Sequence, residues 1–358
     1  MSSYLREAEV ILEEVIRVAA AEAKYSGFCI GNTSKIDSTG LFFSPTRNTD
    51  HLVAGSVIVY LPHQAAEIAR LADGRVDYIL VDAEKKVGPE PDYYGSEDAG
   101  NIERAVRQVI RKSRLLTYKG NDLTVESIDC LLTHTIDDPV RGIGGKKVAI
   151  IGAGNLGSKL ALKLVERAAD VTITRRDRQK LDAIVSALNY IKPFHTQARV
   201  EGTTDNEAAS DGAEVLIGIT NGVPVITQSM VDRVAPNCIL MDGGKGCLFR
   251  EAIERAEERN LTVLRVDVRA GFAGQVAILL ETERIVRTSI GRREVEGIHL
   301  VSAGLLGRKN EIIVDDVHNP RVVYGTANGL GDFVRSLSRE QEEQMRSVRM
   351  MIGGRTTD

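Results

Sequence analysis

The sequence predicts an α/β protein built on a doubly wound parallel sheet, with a smaller α/β domain before it and an extension after it. Three observations carry that expectation. Short apolar runs alternate with helical stretches through most of the 358 residues, which implies parallel strands joined by right-handed crossovers. The run Val148 to Ile151 leads into Gly152, Gly154 and Gly157, and then into a helical repeat over Ser158 to Ala169. A second apolar run, Val171 to Thr174, follows that helix.

The order of strand, glycine turn and helix gives the turn its chemistry. Gly152 permits a tight turn, Gly154 lets backbone approach a pyrophosphate, and Gly157 lets the helix pack against the strand. The first helical amides are then free to receive an anion. These features predict a Rossmann dinucleotide site made by Gly152, Ala153, Gly154, Asn155, Leu156 and Gly157. An NAD-preferring site ends its second strand with Asp or Glu to hold the ribose hydroxyl. Here Thr174-Arg175-Arg176 stands in that place, with Arg178 and Lys180 nearby, so the expected cofactor is NADP. Asp177 lies too late for the ribose and reads as the cap of the next helix.

The remaining elements follow in chain order. Tyr4 to Lys24 carries Leu5, Ala8, Ile11, Leu12, Val15, Ile16 and Ala19 on one helical stripe, which must cover either the first domain or a second subunit. Gly27 to Asn48 is rich in Gly, Ser, Thr and Asn and reads as a loop with a short strand. Ser56 to Leu61 and Tyr78 to Asp82 predict strands; His63 to Ala72, Asn101 to Leu115 and Leu123 to Thr135 predict helices. Pro89 and Pro91 mark a loop bordering a cleft, and Asp137 through Gly145 breaks the pattern. Domains are therefore expected over 1–138, 139–290 and 291–358.

Within the second domain, strands at Val215 to Ile219, Ile239 to Met241 and Thr262 to Val266 alternate with helices at Gln228 to Val234 and Arg250 to Arg259. Gly218 to Gly222 and Asp242 to Gly246 leave strand ends and should face the cofactor, which adds Thr220 and Asn221 to the expected site. An apolar helix from Gln275 to about Val286 comes next. Short strands at Ile298 to Val301, Ile312 to Val314 and Val322 to Tyr324 follow, then a polar helix from Ser338 to Met350 and a tail expected to be disordered.

Composition narrows the function. At 43% hydrophobic and 27% charged residues with a net charge of −4, the chain reads as an ordinary globular protein, with neither nucleic acid nor an anionic membrane as partner. Charges scattered through Met1 to Ala23 exclude a signal-peptide core and a membrane span. Cys29, Cys130, Cys238 and Cys247 form no CxxC and no metal-ligand set, and a reducing cytoplasm is expected. Cys247, in a glycine-rich loop, reads as a small buried residue rather than a reactive thiol.

A Rossmann domain binds cofactor; the proton chemistry needs groups from the facing domain. The strand Tyr78 to Asp82 runs into Ala83-Glu84-Lys85-Lys86, and Lys119-Gly120-Asn121-Asp122 precedes the helix leading to the second domain. A Lys and an Asp sharing a cleft can relay the proton of a hydroxyl or amine while hydride leaves the adjacent carbon. Solvated lysines and a capping Asp are the alternative reading.

The arrangement resembles the shikimate/quinate dehydrogenase-like group. Val81-Asp82-Ala83-Glu84-Lys85-Lys86 looks like that group's lysine motif, Gly120-Asn121-Asp122 like its NTD motif, and Val171 to Lys180 like its cofactor segment. The resemblance implies Lys86 and Asp122 as catalytic residues, with Lys85 beside them, and a loop near the nicotinamide at Ile219-Thr220-Asn221-Gly222. The chain departs from the group in several places. No proline precedes the lysine, and the serine-rich carboxylate-binding motif is reduced to Ser44-Pro45 and Asn48. The expected tyrosine near Asp242-Gly243-Gly244-Lys245 is missing.

The expectation is an NADP-dependent dehydrogenase or reductase acting on a small hydroxy or amino acid-like substrate, as a homodimer. Lys245 is a second cationic candidate. A cyclodeaminase-type lyase using tightly bound nicotinamide, and a non-catalytic NADP(H) sensor, are the alternatives. A glutamyl-tRNA reductase reading needs a nucleophilic cysteine, and neither Cys29, read as a loop residue, nor Cys130, read as lying on an apolar helical face, has an activating base in the sequence.

Overall fold

A computed structural model describes residues 2–33, 41–87, 101–220 and 222–353. The chain opens with α1 (Ser3–Ala21), β1 (Tyr25–Asn32), β2 (Phe42–Asn48), β3 (Leu52–Val59), α2 (Pro62–Ala72), β4 (Tyr78–Asp82), α3 (Ile102–Val109) and β5 (Arg114–Tyr118). The strands form one sheet in the order β2-β3-β1-β4-β5, parallel except for β2. Phe28, Ile30, Val57, Val59, Ile79 and Val81 fill one face together with Ala8 and Leu12 of α1, Ala65 and Ile68 of α2, and Ile102 and Val106 of α3. The N-terminal stripe thus covers its own domain.

Two expectations about this sheet are corrected. The stretch read as a loop from Gly27 begins inside β1, the central strand. Its glycines hid it, and they are there for packing: a Cβ at Gly31 would lie 2.7 Å from the Ile58 side chain. The helix expected over 101–115 stops at Val109 and the chain re-enters the sheet as β5. The distant Asp73 carboxylate accepts from the backbone amides of Arg111, Lys112 and Ser113 at 2.9, 2.9 and 2.8 Å, which holds this segment as a turn.

Next come α4 (Gly120–Thr135), β6 (Lys147–Ile151), α5 (Asn155–Glu166), β7 (Asp170–Thr174), α6 (Arg178–Ile191), β8 (Val200–Thr203), α7 (Asn206–Ser210), β9 (Val215–Gly218), α8 (Gln228–Arg233), β10 (Ile239–Asp242), α9 (Arg250–Glu258) and β11 (Thr262–Arg265). Their strands make a six-stranded sheet in the order β11-β10-β9-β6-β7-β8, parallel throughout. This is the doubly wound Rossmann order, with its switch point between β6 and β9. One core packs Val148, Ile150, Leu160, Leu164 and Ile173 with Val125, Ile128 and Leu132 of α4. The helix before the break at 137–145 therefore belongs to the second sheet's core. Both sheets lie in one compact unit, Met1–Gln275, and the chain from Val276 forms another.

The second unit holds most of α10 (Arg269–Thr288), then β12 (Arg292–Val295), β13 (Ile298–Ser302), β14 (Ile312–Val314), β15 (Val323–Thr326) and α11 (Arg339–Gly353). A four-stranded sheet, β12-β13-β14-β15, buries Leu300, Ile312 and Val314 with Met345 and Val348 of α11. The buried Glu311 accepts from Arg292 Nε at 2.9 Å and the Arg308 amide at 2.6 Å. Among the described residues no helix is long and apolar enough to cross a membrane.

Candidate active site

The glycine turn after β6 has the geometry its spacing requires. Gly152 sits at φ +121°, in the left-handed region, and a Cβ there would fall 2.1 Å from the Ile219 carbonyl oxygen across the switch point. A Cβ on Gly157 would fall 2.1 Å from the Gly152 oxygen, so α5 can rest on the turn only with glycine there. Gly154 differs from both. It caps α5 at φ −91°, and a Cβ on it would meet no protein atom within 4 Å. Protein packing therefore does not explain this glycine, whereas close approach of a pyrophosphate to the α5 amides does.

The cations at the end of β7 divide into three kinds. Arg175 turns inward, donating from Nη1 to the Ala153 carbonyl at 2.6 Å, and its buried Nε has no hydrogen-bond partner among the described residues. Arg178 is engaged by Asp182 at 2.9 Å and Lys180 by Asp177 at 3.6 Å, while Asp177 caps α6 as expected. Arg176 is exposed and has no ion pair among the described residues. Thr174 is buried, and its carbonyl accepts from the Ala153 amide at 2.7 Å. The corner thus presents one exposed guanidinium, Arg176, beside one turned inward, Arg175.

The two switch-point loops lock to each other through Cys247, a buried thiol. Thr220 donates to its sulfur from the backbone N at 3.4 Å and from Oγ1 at 3.1 Å, and a Cβ on Gly244 would lie 2.0 Å from the Thr220 carbonyl oxygen. Burial alone would push the Asp242 carboxyl up, but the amides of Gly246 and Cys247, and Arg265 beside it, hold it below its ordinary value. Lys245 adopts φ +57°, a conformation that L residues rarely take. Asn221 falls outside the described residues, as does the Pro89–Pro91 loop.

At the facing sheet, the carboxyl end of β4 gathers charge. Lys86 Nζ lies 3.0 Å from Asp82 Oδ2 and 2.6 Å from Glu84 Oε2. The other oxygen of Glu84 lies 3.4 Å from Nζ of Lys159, on α5, and Lys159 is 2.6 Å from Asp122. The result is a chain of alternating sign: Lys86, Glu84, Lys159, Asp122. Burial alone would raise the Glu84 carboxyl, but the Lys86 hydrogen bond, the Asn121 amide and the two ammonium charges hold it below its ordinary value. Asn121 also donates from its side chain to Asn155 Oδ1 at 2.9 Å, which ties the start of α4 to the first residue of α5.

The structure arranges the expected catalytic residues differently from the expectation. Lys86 and Asp122 do not pair; Glu84 and Lys159 stand between them. Asp122 is instead the first rung of a ladder between α4 and α5. Lys159, Lys163 and Arg167 pair with Asp122, Glu126 and Asp129, at the spacing that aligns side chains along a helix. Lys85 points to the start of α3, where Nζ is 2.9 Å from Asn101 Oδ1 and 3.6 Å from Glu103, and it is not part of the Lys86 cluster. Sequence reasoning missed Lys159 and the role of Glu84. The ladder spacing of 159, 163 and 167 against 122, 126 and 129 was the available signal.

The face of the first sheet opposite α1–α3 carries further polar groups. Ser44 pairs with Ser56 and Arg47 with Ala54, with a register shift between them. The shift puts Ser44 and Arg47 on one face, the face of Cys29, Asp82 and Tyr118. The buried Ser44 hydroxyl has no hydrogen-bond partner among the described residues, and the Arg47 guanidinium stacks 5.1 Å above the Phe272 ring. Burial pushes the Tyr118 phenol well above its ordinary value. Asn48 is bonded instead to Lys24 and Glu22 at 2.7 and 2.9 Å. Cys29 is a strand residue, its thiol pushed up to about 12 by burial; Cys130 is exposed rather than set in an apolar face. No group of three His, Cys, Asp or Glu suited to a metal occurs among the described residues.

Comparison with known proteins bears on the second sheet. Residues 147–224 match the family profile described as NADP oxidoreductase coenzyme F420-dependent. A glycerol-3-phosphate dehydrogenase [NAD(P)+] of Limosilactobacillus fermentum is 30% identical over 137 residues, 33% of this chain and 41% of that protein. A second, from Nitratidesulfovibrio vulgaris, is 25% identical over 142 residues, 37% of this chain and 40% of that protein. The chain thus spans about two fifths of the curated relatives it matches. Among solved structures, a shikimate dehydrogenase in complex with NADP+ aligns with TM-score 0.43 and 15% identity, covering 73% of this chain and 91% of that one. L-tryptophan dehydrogenase from Nostoc punctiforme aligns with TM-score 0.40 and 12% identity, covering 72% and 74%. The family profile covers the glycine turn, β7 and the Thr220 loop.

Proposed function

We propose that the protein is an NADP-dependent dehydrogenase or reductase acting on a small hydroxy or amino acid-like substrate. The observation that carries the reading is the meeting of two sites. The helix that would receive the cofactor's pyrophosphate is bonded to the Lys86 cluster on the facing sheet directly through Lys159 and, by way of Asn121, through Asn155. Gly152 to Gly157 would cradle the dinucleotide, Arg175 and Arg176 would take the 2′-phosphate, and Thr220 would border the nicotinamide. When bound, the nicotinamide supplies the hydride acceptor or donor.

The chain's own residues would manage the proton. Asp82 and Glu84 fix the Lys86 ammonium in place, where it gives a proton to the developing alkoxide in reduction and its amine takes it back in oxidation. Ser44 and Arg47 face the same side and suit a carboxylate, which favours a hydroxy or amino acid over a neutral alcohol. A homodimer would rest on the C-terminal extension, since the N-terminal helix spends its apolar stripe on its own sheet.

Calorimetric titration with NADP+ and NAD+ in parallel, beside the Arg175→Ala, Arg176→Ala double variant, tests the cofactor. The expected result is a preference for NADP+ that the variant loses, followed by NADP+ reduction with a member of a hydroxy and amino acid panel. Equal binding of both cofactors would overturn the arginine assignment.

A further inference from the structure

We propose that Lys159 is a positioning residue: acting through Glu84, it sets the place and charge of the Lys86 cluster, so that the helix receiving the cofactor also governs the reacting end of the facing sheet. This rests on the dehydrogenase reading for its purpose, though its geometry stands independently. In the α4–α5 ladder, Lys163 and Arg167 form ion pairs among the described residues only with α4, whereas Lys159 bonds both Asp122 on α4 and Glu84 beyond it.

Glu84 is 12% exposed and its two oxygens are divided, one toward Lys86 and one toward Lys159. A half-buried carboxylate with cations on both sides has little freedom to turn, because leaving either one strands a charge in a poorly hydrated place. The α5 helix holds it a second time, through Asn155 to the Asn121 side chain and the Asn121 amide to Glu84 Oε2 at 3.0 Å. The other groups around it are Asp82, whose Oδ1 accepts from the Glu84 amide at 3.0 Å, and Asn32, whose side chain donates to the Glu84 carbonyl at 2.5 Å. The Glu84 charge in turn adds to the rise of the Tyr118 phenol.

The test follows Glu84 itself and needs no substrate. Its carboxyl carbon is titrated by NMR in isotope-labelled protein, assigned with Glu84→Gln. Lys159→Met should raise its midpoint by about one unit, the effect of losing one neighbouring cation, whereas Lys159→Arg and Lys163→Met leave it in place. NADP+ added to wild type should shift the Glu84 resonance, and the shift should shrink in Lys159→Met. Should Lys159→Met fail to fold, Lys159→Gln carries the same expectation. An unmoved midpoint, or an equal rise in Lys163→Met, overturns the proposal. Failure of wild type to bind NADP+ sinks the dehydrogenase reading but leaves the Lys159 midpoints to be read on their own.

Discussion

The glycine turn and the Lys86 cluster face each other, yet they are built by different means. The turn works through backbone: its three glycines lie within six residues, and two are imposed by contacts of 2.1 Å that any side chain would violate. The cluster works through side chains drawn from three separate segments, 82–86, 120–122 and 155–159. A site made of backbone must be written locally. One made of converging side chains is fixed only by the fold, so its residues can be exchanged between neighbouring charges without leaving a mark on the sequence.

The strongest way to break that contrast is within the turn. Gly152→Ala combines a left-handed φ with a clash against the Ile219 carbonyl and should destabilise the unit by about 3 kcal/mol or more in urea unfolding. Gly154→Ala should leave stability within about 0.5 kcal/mol and yet weaken NADP+ about tenfold, or about 1.4 kcal/mol. Equal destabilisation by both would show that Gly154 answers to packing and not to a ligand.

Lys86→Met sharpens the other side. Turnover should fall by about a hundredfold to ten-thousandfold while NADP+ affinity stays unchanged, and Lys85→Met should leave both nearly intact because Lys85 serves the start of α3. Comparable losses from the two lysines would mean that the acid–base role is not confined to Lys86.

A smaller effect concerns pH. Glu84 is held below its ordinary value of 4.5 in the folded protein, so its charge stabilises the fold above that pH and the contribution is lost as pH falls through the folded value. Glu84→Gln should therefore differ most from wild type near neutrality, and the two urea midpoints should converge as pH falls below 4.5. A gap that widens in acid would reverse the assignment of sign.

How much was legible follows the same division. The second sheet could be read because β6, β7, β9, β10 and β11 are short apolar runs bounded by turns, and the glycine spacing sits in the strand–helix context that gives it meaning. In the first sheet, β1 was hidden because Gly27 and Gly31, needed beside Leu52 and Ile58, look like loop residues. Similarly, β5 was absorbed into a helix because the group that turns the chain there, Asp73, lies 38 to 40 residues away. Lys86 could be named from its strand end, but its partners could not: an Asp at a helix start gives no sign of whether it faces the cleft or a neighbouring helix. The ladder settles that for Asp122, and it took α5 lying against α4 to reveal it.

The smallest expected effect tests the ladder alone. Lys163 is 29% exposed and its partner Glu126 is 54% exposed, so water already screens the pair and Lys163→Met should cost about 0.5 kcal/mol, less at high salt. Lys159→Met should cost more, because it also leaves the half-buried Glu84 with one cation in place of two. The two lysines lie one helical turn apart, and on α4 Lys163 meets two acids, Glu126 and Asp129, where Lys159 meets Asp122, so an excess cost at Lys159 does not come from the ladder. It measures what reaching the facing sheet adds. Equal costs would make Lys159 an ordinary rung and return the coupling between cofactor helix and Lys86 to the Asn121–Asn155 contact alone.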